Sequence, residues 1–215
     1  IPCGFIILVR IDFIMSTSNK FTTVRIIAAP VVFLIYFVPI WLQNFGLDST
    51  LCDSVAKYSA FILIPFLIFA EITDALDGHY ARKHNEVSDF GKVFDPFADV
   101  ILHISTFCCL MFSYKSELRF MPPVIFVFIL YREITMTFLR MVAAMRGTAI
   151  AARKGGKLKT VFYVLSAFFA LILELHVRAG FVMSYPIFAG LRVTAICLFS
   201  VCLILSYVSF IDYLI

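Results

Sequence analysis

Residues 26–47 contain no charged side chain, and most of them are apolar. A helix that crosses the hydrocarbon core of a bilayer needs about 20 such residues, so this run is long enough to cross. Hydrophobic residues make up 62% of the chain and charged residues 15%, against about 45–50% and about 25% in soluble domains. We therefore predict an integral membrane protein. The same balance excludes a soluble enzyme, a disordered chain and a nucleic-acid-binding domain, despite a net charge of +4.

Five further hydrophobic segments follow the first, which predicts an all-α fold with six transmembrane helices. The six segments are 26–47, 58–80, 93–114, 122–144, 160–173 and 191–211. Residues 15–215 form a single domain in this interpretation. Residues 1–14 are too short to span a bilayer and precede a methionine at position 15, so we expect them to be an N-terminal extension. A short interfacial piece is expected from about residue 19 to the first span.

The distribution of Lys and Arg predicts the orientation of the chain. With six spans, both termini and the second–third and fourth–fifth connections lie on one side of the membrane. That side holds twelve of the 18 basic residues and the other side holds five, while Arg132 lies inside a span. Basic residues concentrate in the cytoplasmic loops of membrane proteins. We therefore predict that this side faces the cytoplasm, with the chain in the cytoplasmic (inner) membrane.

Four aspartates lie at the cytoplasmic ends of the second and third predicted helices. Asp74 and Asp77 are three residues apart, and Asp95 and Asp99 are four apart, so each pair shares a helix face. Antiparallel helices bring both pairs to the same depth. Converging carboxylates repel one another unless cations lie between them, and oxygen ligands suit Mg²⁺ or Mn²⁺. The alternative, that the aspartates merely cap helix ends, explains one such residue better than four at these spacings.

The segment from Asp74 to Asp99 reproduces the pattern D-x2-D-G-x2-A-R-x8-G-x3-D-x3-D at all eight fixed positions. This pattern resembles the signature of the CDP-alcohol phosphatidyltransferases. The resemblance implies that family's six-helix fold and an enzyme that holds two divalent cations, Mg²⁺ or Mn²⁺. The metal ligands that it implies are Asp74, Asp77, Asp95 and Asp99. It also makes Asp99 the catalytic base that takes the proton of the acceptor hydroxyl.

The same resemblance assigns residues to the CDP-linked lipid, which is the donor substrate. Small residues at 78, 81 and 91 would leave room for the nucleotide, and the guanidinium at 82 would clamp the diphosphate. Helix termination is a further role for the two glycines. The full expected set is Gly78, Ala81, Arg82, Gly91, Asn19, Thr22 and Arg25.

Three further regions, 19–30, 131–140 and 149–160, resemble the branch of this family that makes phosphatidylglycerophosphate. The acceptor that this implies is glycerol 3-phosphate, whose phosphate dianion needs cationic side chains beside the metal site. The expected phosphate-binding residues are Arg132, Arg140, Lys157 and Lys159, with Glu133 orienting an arginine. Basic residues of the 146–159 region also suit a cytoplasmic loop near anionic lipids. The chain has Phe162 and Tyr163 where the resemblance expects a glutamine.

The resemblance therefore implies transfer of a phosphatidyl group from CDP-diacylglycerol to glycerol 3-phosphate, with release of CMP, and it is compatible with a homodimer. The first alternative is another member of the family, such as a phosphatidylinositol-phosphate synthase or a cardiolipin synthase. An alternative from a different class is a small cation transporter. Transporters place such carboxylates near the bilayer midplane between repeated halves, whereas these lie at one edge of a chain without repeats.

Overall fold

The computed structural model of the chain describes residues 17–84, 91–147 and 154–214, without the side chains of residues 17–21, 74–84, 92, 154 and 214. Within these ranges there are six α-helices and no strands. The helices are α1 (Thr17–Asn44), α2 (Ser49–His84), α3 (Gly91–Leu110), α4 (Pro123–Met145), α5 (Lys154–Arg178) and α6 (Tyr185–Leu214). The predicted all-α fold with six helices is confirmed. The predicted extension at 1–14 lies outside the described residues.

Several helices extend beyond their predicted hydrophobic segments, and buried contacts explain the extensions of α1 and α5. α1 begins at residue 17 instead of 26, as one continuous helix through the piece expected at the interface. Its first turns remain helical because Thr22 and Arg25, although polar, are buried and bonded to side chains of α3. α5 reaches residue 178 instead of 173, because Glu174 and Arg178 form a buried ion pair one turn apart. In both cases a side-chain partner offsets the cost of burying a charge.

The main hydrophobic core runs through the described part of the bundle, and a smaller cluster lies beside the start of α2. α1 packs mainly against α2 and α3, while α5 packs mainly against α6 and also contacts α2 and α3. The aromatic side chains of Tyr36, Phe107, Phe120 and Phe199 are fully buried at this centre. Other large apolar side chains, such as that of Phe69, are exposed on the outer surface. Helices that are apolar on their outer faces as well as their inner ones are typical of membrane spans.

Five of the six helices contain a stretch that is long and apolar enough to cross a membrane. These stretches are Thr22–Asn44, Ser49–Thr73, Val93–Leu110, Gly155–Arg178 and Tyr185–Tyr213. The chain is therefore an integral membrane protein. α4 differs because it carries Arg132, Glu133 and Arg140. It packs against α3 and α6, and the side chains of Arg132 and Glu133 are buried in that packing.

The two ends of the bundle have different chemistry. We call the end that carries Thr22, Arg25, Asp95 and Asp99 the acidic end. The opposite end carries the short connections 45–48, 111–122 and 179–184. At the acidic end, α1 begins, α2 ends and α3 begins. This arrangement brings the first turns of α1 and α3 together.

Candidate active site

Asp95 and Asp99 occupy successive turns at the start of α3 and contact the first turns of α1. The Thr22 hydroxyl donates a hydrogen bond to Asp95, and the Arg25 guanidinium donates to Asp99. Arg25 also approaches Asp95, with 3.8 Å between Nη2 and Oδ1. The Arg25 side chain is only 1% exposed, whereas the carboxylate side chains are 36% and 32% exposed. A buried guanidinium thus lies behind two carboxylates that are accessible from the acidic end.

α2 meets α3 just inside this acid pair. The ring nitrogen Nε2 of His103 lies 3.6 Å from Oε1 of Glu71, and His103 follows Asp99 by one turn. Asp74 and Asp77 come three and six residues after Glu71, which places their backbone about 4.5 and about 9 Å further along α2. Their backbone positions therefore run toward the acidic end, and the convergence of their carboxylates with those of α3 stays a prediction.

The residues expected to bind the donor lipid lie on three helices, α1, α2 and α3. Gly91 is the first residue of α3 and is buried. Gly78, Ala81 and Arg82 lie in the last turns of α2, and their side chains are outside the described part of the structure. The same holds for the side chain of Asn19 in the first turn of α1. Thr22 and Arg25 are brought to the acid pair, so these two expected donor residues contact expected metal ligands.

The oxygen atoms that could ligate a metal at the acidic end suit a hard divalent cation. Asp95 and Asp99 offer carboxylate oxygens on one helix face, and about a third of each side chain is open to solvent. Mg²⁺ and Mn²⁺ prefer such oxygen ligands. Among the side chains that the structure describes, no three His, Cys, Asp or Glu residues form a metal-binding group. The expected ligands Asp74 and Asp77 have side chains outside the described part of the structure, so the four-aspartate site stays a prediction.

A second polar cluster lies between α4, α5 and α6, centred on the buried carboxylate of Glu133. Its Oε1 accepts hydrogen bonds from Arg132 Nη1 at 3.0 Å, Lys159 Nζ at 2.7 Å and Tyr163 Oη at 2.9 Å. The Lys159 ammonium also lies 4.7 Å from the centre of the Tyr163 ring. The expected pairing of Glu133 with an arginine is present in the structure, and Tyr163 and Lys159 add two more donors.

Arg132 uses the rest of its guanidinium to hold α6. Nε donates to the backbone carbonyl of Ser206 at 2.8 Å, and Nη2 lies 3.4 Å from Oγ of Ser209. Every guanidinium nitrogen therefore has a protein partner. A substrate phosphate would have to compete with these contacts, so Arg132 serves helix packing whether or not it also meets a substrate.

Arg140, unlike Arg132, has a guanidinium nitrogen without a hydrogen-bond acceptor among the described residues. It lies eight residues after Arg132, about two turns nearer the acidic end. Its guanidinium carbon lies 5.6 Å above the Tyr213 ring, and its Nε is buried without a hydrogen-bond acceptor among the described residues. Lys157, near the start of α5, is exposed. Of the four residues expected to bind the phosphate, Arg140 and Lys157 thus retain N–H groups that can donate hydrogen bonds to a substrate. Arg132 and Lys159 instead donate to Glu133.

His103 joins the two clusters. Its ring packs edge-on against Tyr163, with 5.8 Å between centroids, and it lies one turn beyond Asp99 on α3. Sequence reasoning did not select His103, because it belongs to no spaced pattern, and it noted Tyr163 only as a departure from the expected glutamine. A titratable residue inside an otherwise apolar span was the available signal for His103.

Comparison with known proteins gives one family. The family model described as CDP-alcohol phosphatidyltransferase matches residues 15–201. A Treponema pallidum protein named CDP-diacylglycerol–glycerol-3-phosphate 3-phosphatidyltransferase is 37% identical over 160 residues, which cover 74% of this chain and 70% of the relative. A Bacillus subtilis protein of the same name is 33% identical over 86% of this chain and 90% of its own. A probable phosphatidylglycerophosphate synthase of Mycobacterium tuberculosis is 35% identical over 81% and 76%.

Proposed function

Because the chain belongs to the CDP-alcohol phosphatidyltransferase family, we propose that it transfers the phosphatidyl group of CDP-diacylglycerol to the primary hydroxyl of sn-glycerol 3-phosphate. The products are CMP and phosphatidylglycerophosphate. Relatives whose names give this reaction align over most of the chain at 33–37% identity. The chain is accordingly a transferase of phospholipid biosynthesis.

The observation that carries the mechanism is the contact between the start of α1 and the start of α3. Arg25 and Thr22 hold Asp95 and Asp99 at the mouth of the bundle. Asp99 is positioned there to accept the proton of the acceptor hydroxyl, whose oxygen attacks the phosphorus that carries the lipid. The bond from that phosphorus to the CMP oxygen breaks, so no covalent enzyme intermediate is needed.

Asp74, Asp77, Asp95 and Asp99 are the residues that would hold two divalent cations, Mg²⁺ or Mn²⁺. The chemistry that such ions supply is neutralisation of the diphosphate and stabilisation of charge on the departing oxygen. Arg82 and Arg25 are proposed to add positive charge at the same diphosphate, with Gly78, Ala81, Gly91 and Asn19 shaping the nucleotide site. The aspartate side chains on α3 support this assignment through their shared face and their exposure.

For the acceptor, we assign direct contact with the phosphate to Arg140 and Lys157. Arg132 and Lys159 contribute positive charge from within the Glu133 cluster, held at fixed positions by that carboxylate. Since the acceptor is water-soluble and the donor is a lipid, a site at one end of the bundle gives both access. We place that end at the cytoplasmic face of the inner membrane. A homodimer is proposed on the family resemblance alone.

The test is an acceptor assay with the purified full chain. CDP-diacylglycerol is incubated with Mg²⁺ or Mn²⁺ and, in turn, glycerol 3-phosphate, inositol phosphate and phosphatidylglycerol, and CMP release is measured. We expect release with glycerol 3-phosphate only, and its loss on chelation of the metal. Asp99→Asn should lower turnover by about 100-fold or more.

Asp48→Asn is the matched control for that assay, because Asp48 is an exposed aspartate at the opposite end. It should retain wild-type turnover. Faster release with inositol phosphate or phosphatidylglycerol would overturn the acceptor assignment, and the absence of CMP release with all three acceptors would contradict the proposed reaction. Full activity in Asp99→Asn would remove that residue from the mechanism.

A further inference from the structure

A cavity of about 400 Å³ opens at the opposite end of the bundle, remote from the acid pair. It lies between the first turns of α2, the connection after α3 and the end of α5. The lining side chains that carry charge or hydrogen-bonding groups are those of Asp53, Ser54, Lys57, Tyr114, Lys115 and Arg178. Its volume falls within the range of about 300–1,000 Å³ that is typical of small-molecule sites.

The Arg178 side chain forms one wall of the cavity, and Glu174 balances its charge. Nε of Arg178 donates to Glu174 at 2.7 Å, Nη1 to the Ser59 hydroxyl at 2.9 Å and Nη2 to the Tyr36 carbonyl at 3.1 Å. Glu174 also accepts hydrogen bonds from the Ser113 hydroxyl and the Tyr114 backbone N–H. These bonds tie α1, α2, α5 and the connection after α3 together. The cavity is therefore a fixed feature of the fold.

The mouth of the cavity, in contrast, carries two lysine ammonium groups and the single carboxylate of Asp53, so its net charge is positive. Lys57 and Lys115 are exposed, and neither forms an ion pair with a carboxylate in the described part of the chain. Asp53 accepts a hydrogen bond from Tyr114 Oη at 2.8 Å. Burial and this contact raise the pKa of Tyr114 above its usual value, so the hydroxyl keeps its proton. One Asp53 oxygen is thus occupied, while both ammonium groups remain available to an anion.

The depth of the cavity matches that of lipid headgroups. The candidate span of α2 begins at Ser49 and that of α5 ends at Arg178, so the lining residues lie where the apolar stretches meet water. Tyr58 and Tyr185 are 66% and 84% exposed near the same boundary, as aromatic residues at membrane interfaces commonly are. Only five basic residues belong to this side of the chain, and three of them line this cavity. Topology provides no reason for that concentration.

We propose that this cavity binds the phosphate-bearing headgroup of an anionic phospholipid from the leaflet at the opposite end. Lys57 and Lys115 contact the phosphate, and Asp53 accepts hydrogen bonds from headgroup hydroxyls. The acyl chains lie along the apolar outer surface of the bundle. This site is separate from the proposed transfer reaction and does not depend on it.

Lipid titration of the purified full chain, followed by native mass spectrometry, tests the proposal. The probes are phosphatidylglycerol and, as a zwitterionic lipid with the same phosphate linkage, phosphatidylcholine. In the double variant Lys57→Gln/Lys115→Gln we expect affinity for phosphatidylglycerol to fall about tenfold, with little change for phosphatidylcholine. Both lysines are exposed, so the variant should fold, and retained CMP release would verify that.

Arg119→Gln is the control, compared with Lys57→Gln alone. Arg119 is exposed at the same end but does not line the cavity, and the substitution removes the same single charge. It should leave phosphatidylglycerol binding unchanged. An equal loss in both single variants would show general charge attraction and overturn the proposal, as would full binding by the double variant.

A competition experiment distinguishes binding of a lipid headgroup from binding of a free anion. Inorganic phosphate or glycerol 3-phosphate is added at millimolar concentration to the protein–lipid complex. We expect the bound phosphatidylglycerol to remain, since its chains add apolar contact that a soluble phosphate lacks. Displacement by the soluble phosphates at that concentration would assign the cavity to a free anion and contradict the lipid assignment.

Discussion

Arg25 places a full positive charge behind Asp95 and Asp99 while being only 1% exposed itself. The sequence argument attributed the neutralisation of converging carboxylates to metal ions alone. The structure adds a guanidinium from α1, so part of the repulsion is offset by the protein. Such a pairing also explains why Arg25 is tolerated in an apolar environment, since burying an unpaired charge is costly. The partner of a buried charge on another helix is not visible in a single sequence.

At the same scale, the contrast between Arg132 and Arg140 leads to a prediction that separates binding from folding. Arg140→Gln should raise the KM for glycerol 3-phosphate about tenfold, because a charge-assisted contact to the phosphate is lost. The KM for CDP-diacylglycerol and the midpoint of thermal unfolding in detergent should stay near wild type, since the buried Nε of Arg140 has no hydrogen-bond acceptor among the described residues.

Arg132→Gln is the variant to compare with Arg140→Gln. It breaks the ion pair with Glu133 and the bonds to Ser206 and Ser209. Disrupting a buried pair costs about 3 kcal/mol, so the unfolding midpoint should fall clearly. If Arg132→Gln instead raised the KM and kept the midpoint, while Arg140→Gln did the reverse, the two roles would have to be exchanged.

At the scale of elements, hydropathy predicts the centre of each helix and misses the ends. The apolar runs predicted for α2 and α6 lie inside the observed helices, whereas the run predicted for α3, 93–114, continues past the end of that helix at Leu110. The errors arise at Arg25, Lys159 and Arg178, which read as loop residues but are helical and paired. Lys159 finds Glu133, which is 26 residues away, and Arg25 finds Asp99, which is 74 away. The acid signature was predictable because its members share local spacings, whereas the Glu133 cluster depends on the packing of three helices.

The contact between α5 and α6 gives a prediction at this scale. A Cβ at Gly156 would lie 3.2 Å from the Tyr213 hydroxyl and 3.8 Å from Oγ of Ser209. Gly156→Leu should therefore force the helices apart, lower the unfolding midpoint by several degrees and displace Lys157 and Lys159. Turnover with glycerol 3-phosphate should fall with it.

Gly190→Leu is the matched control, because a Cβ at this helical position of α6 meets no atom within 4 Å. Both substitutions gain the same helix propensity over glycine, so the difference between them isolates the close approach. Equal unfolding midpoints would mean that α5 and α6 can separate at residue 156 without cost.

At the scale of the whole molecule, the two ends of the bundle differ in their charged residues. The contacts between individual helices do not require this difference. The acidic end carries the proposed catalytic carboxylates together with most of the basic residues of the chain. The opposite end carries few basic residues, and two of them, Lys57 and Lys115, form the mouth of the proposed lipid site. A donor lipid and a soluble acceptor can meet at the acidic end only if it faces the compartment that contains the acceptor.

Labelling of intact cells with a membrane-impermeant maleimide tests that orientation. Lys115→Cys introduces an exposed thiol at the opposite end, and Arg146→Cys introduces one just after α4 at the acidic end. Because twelve basic residues belong to the acidic side and five to the other, the positive-inside rule predicts that the acidic end faces the cytoplasm. Lys115→Cys should therefore react in intact cells, and Arg146→Cys only after permeabilisation. The unsubstituted chain gives the background from its own cysteines, and labelling of Arg146→Cys alone in intact cells would reverse the proposed orientation.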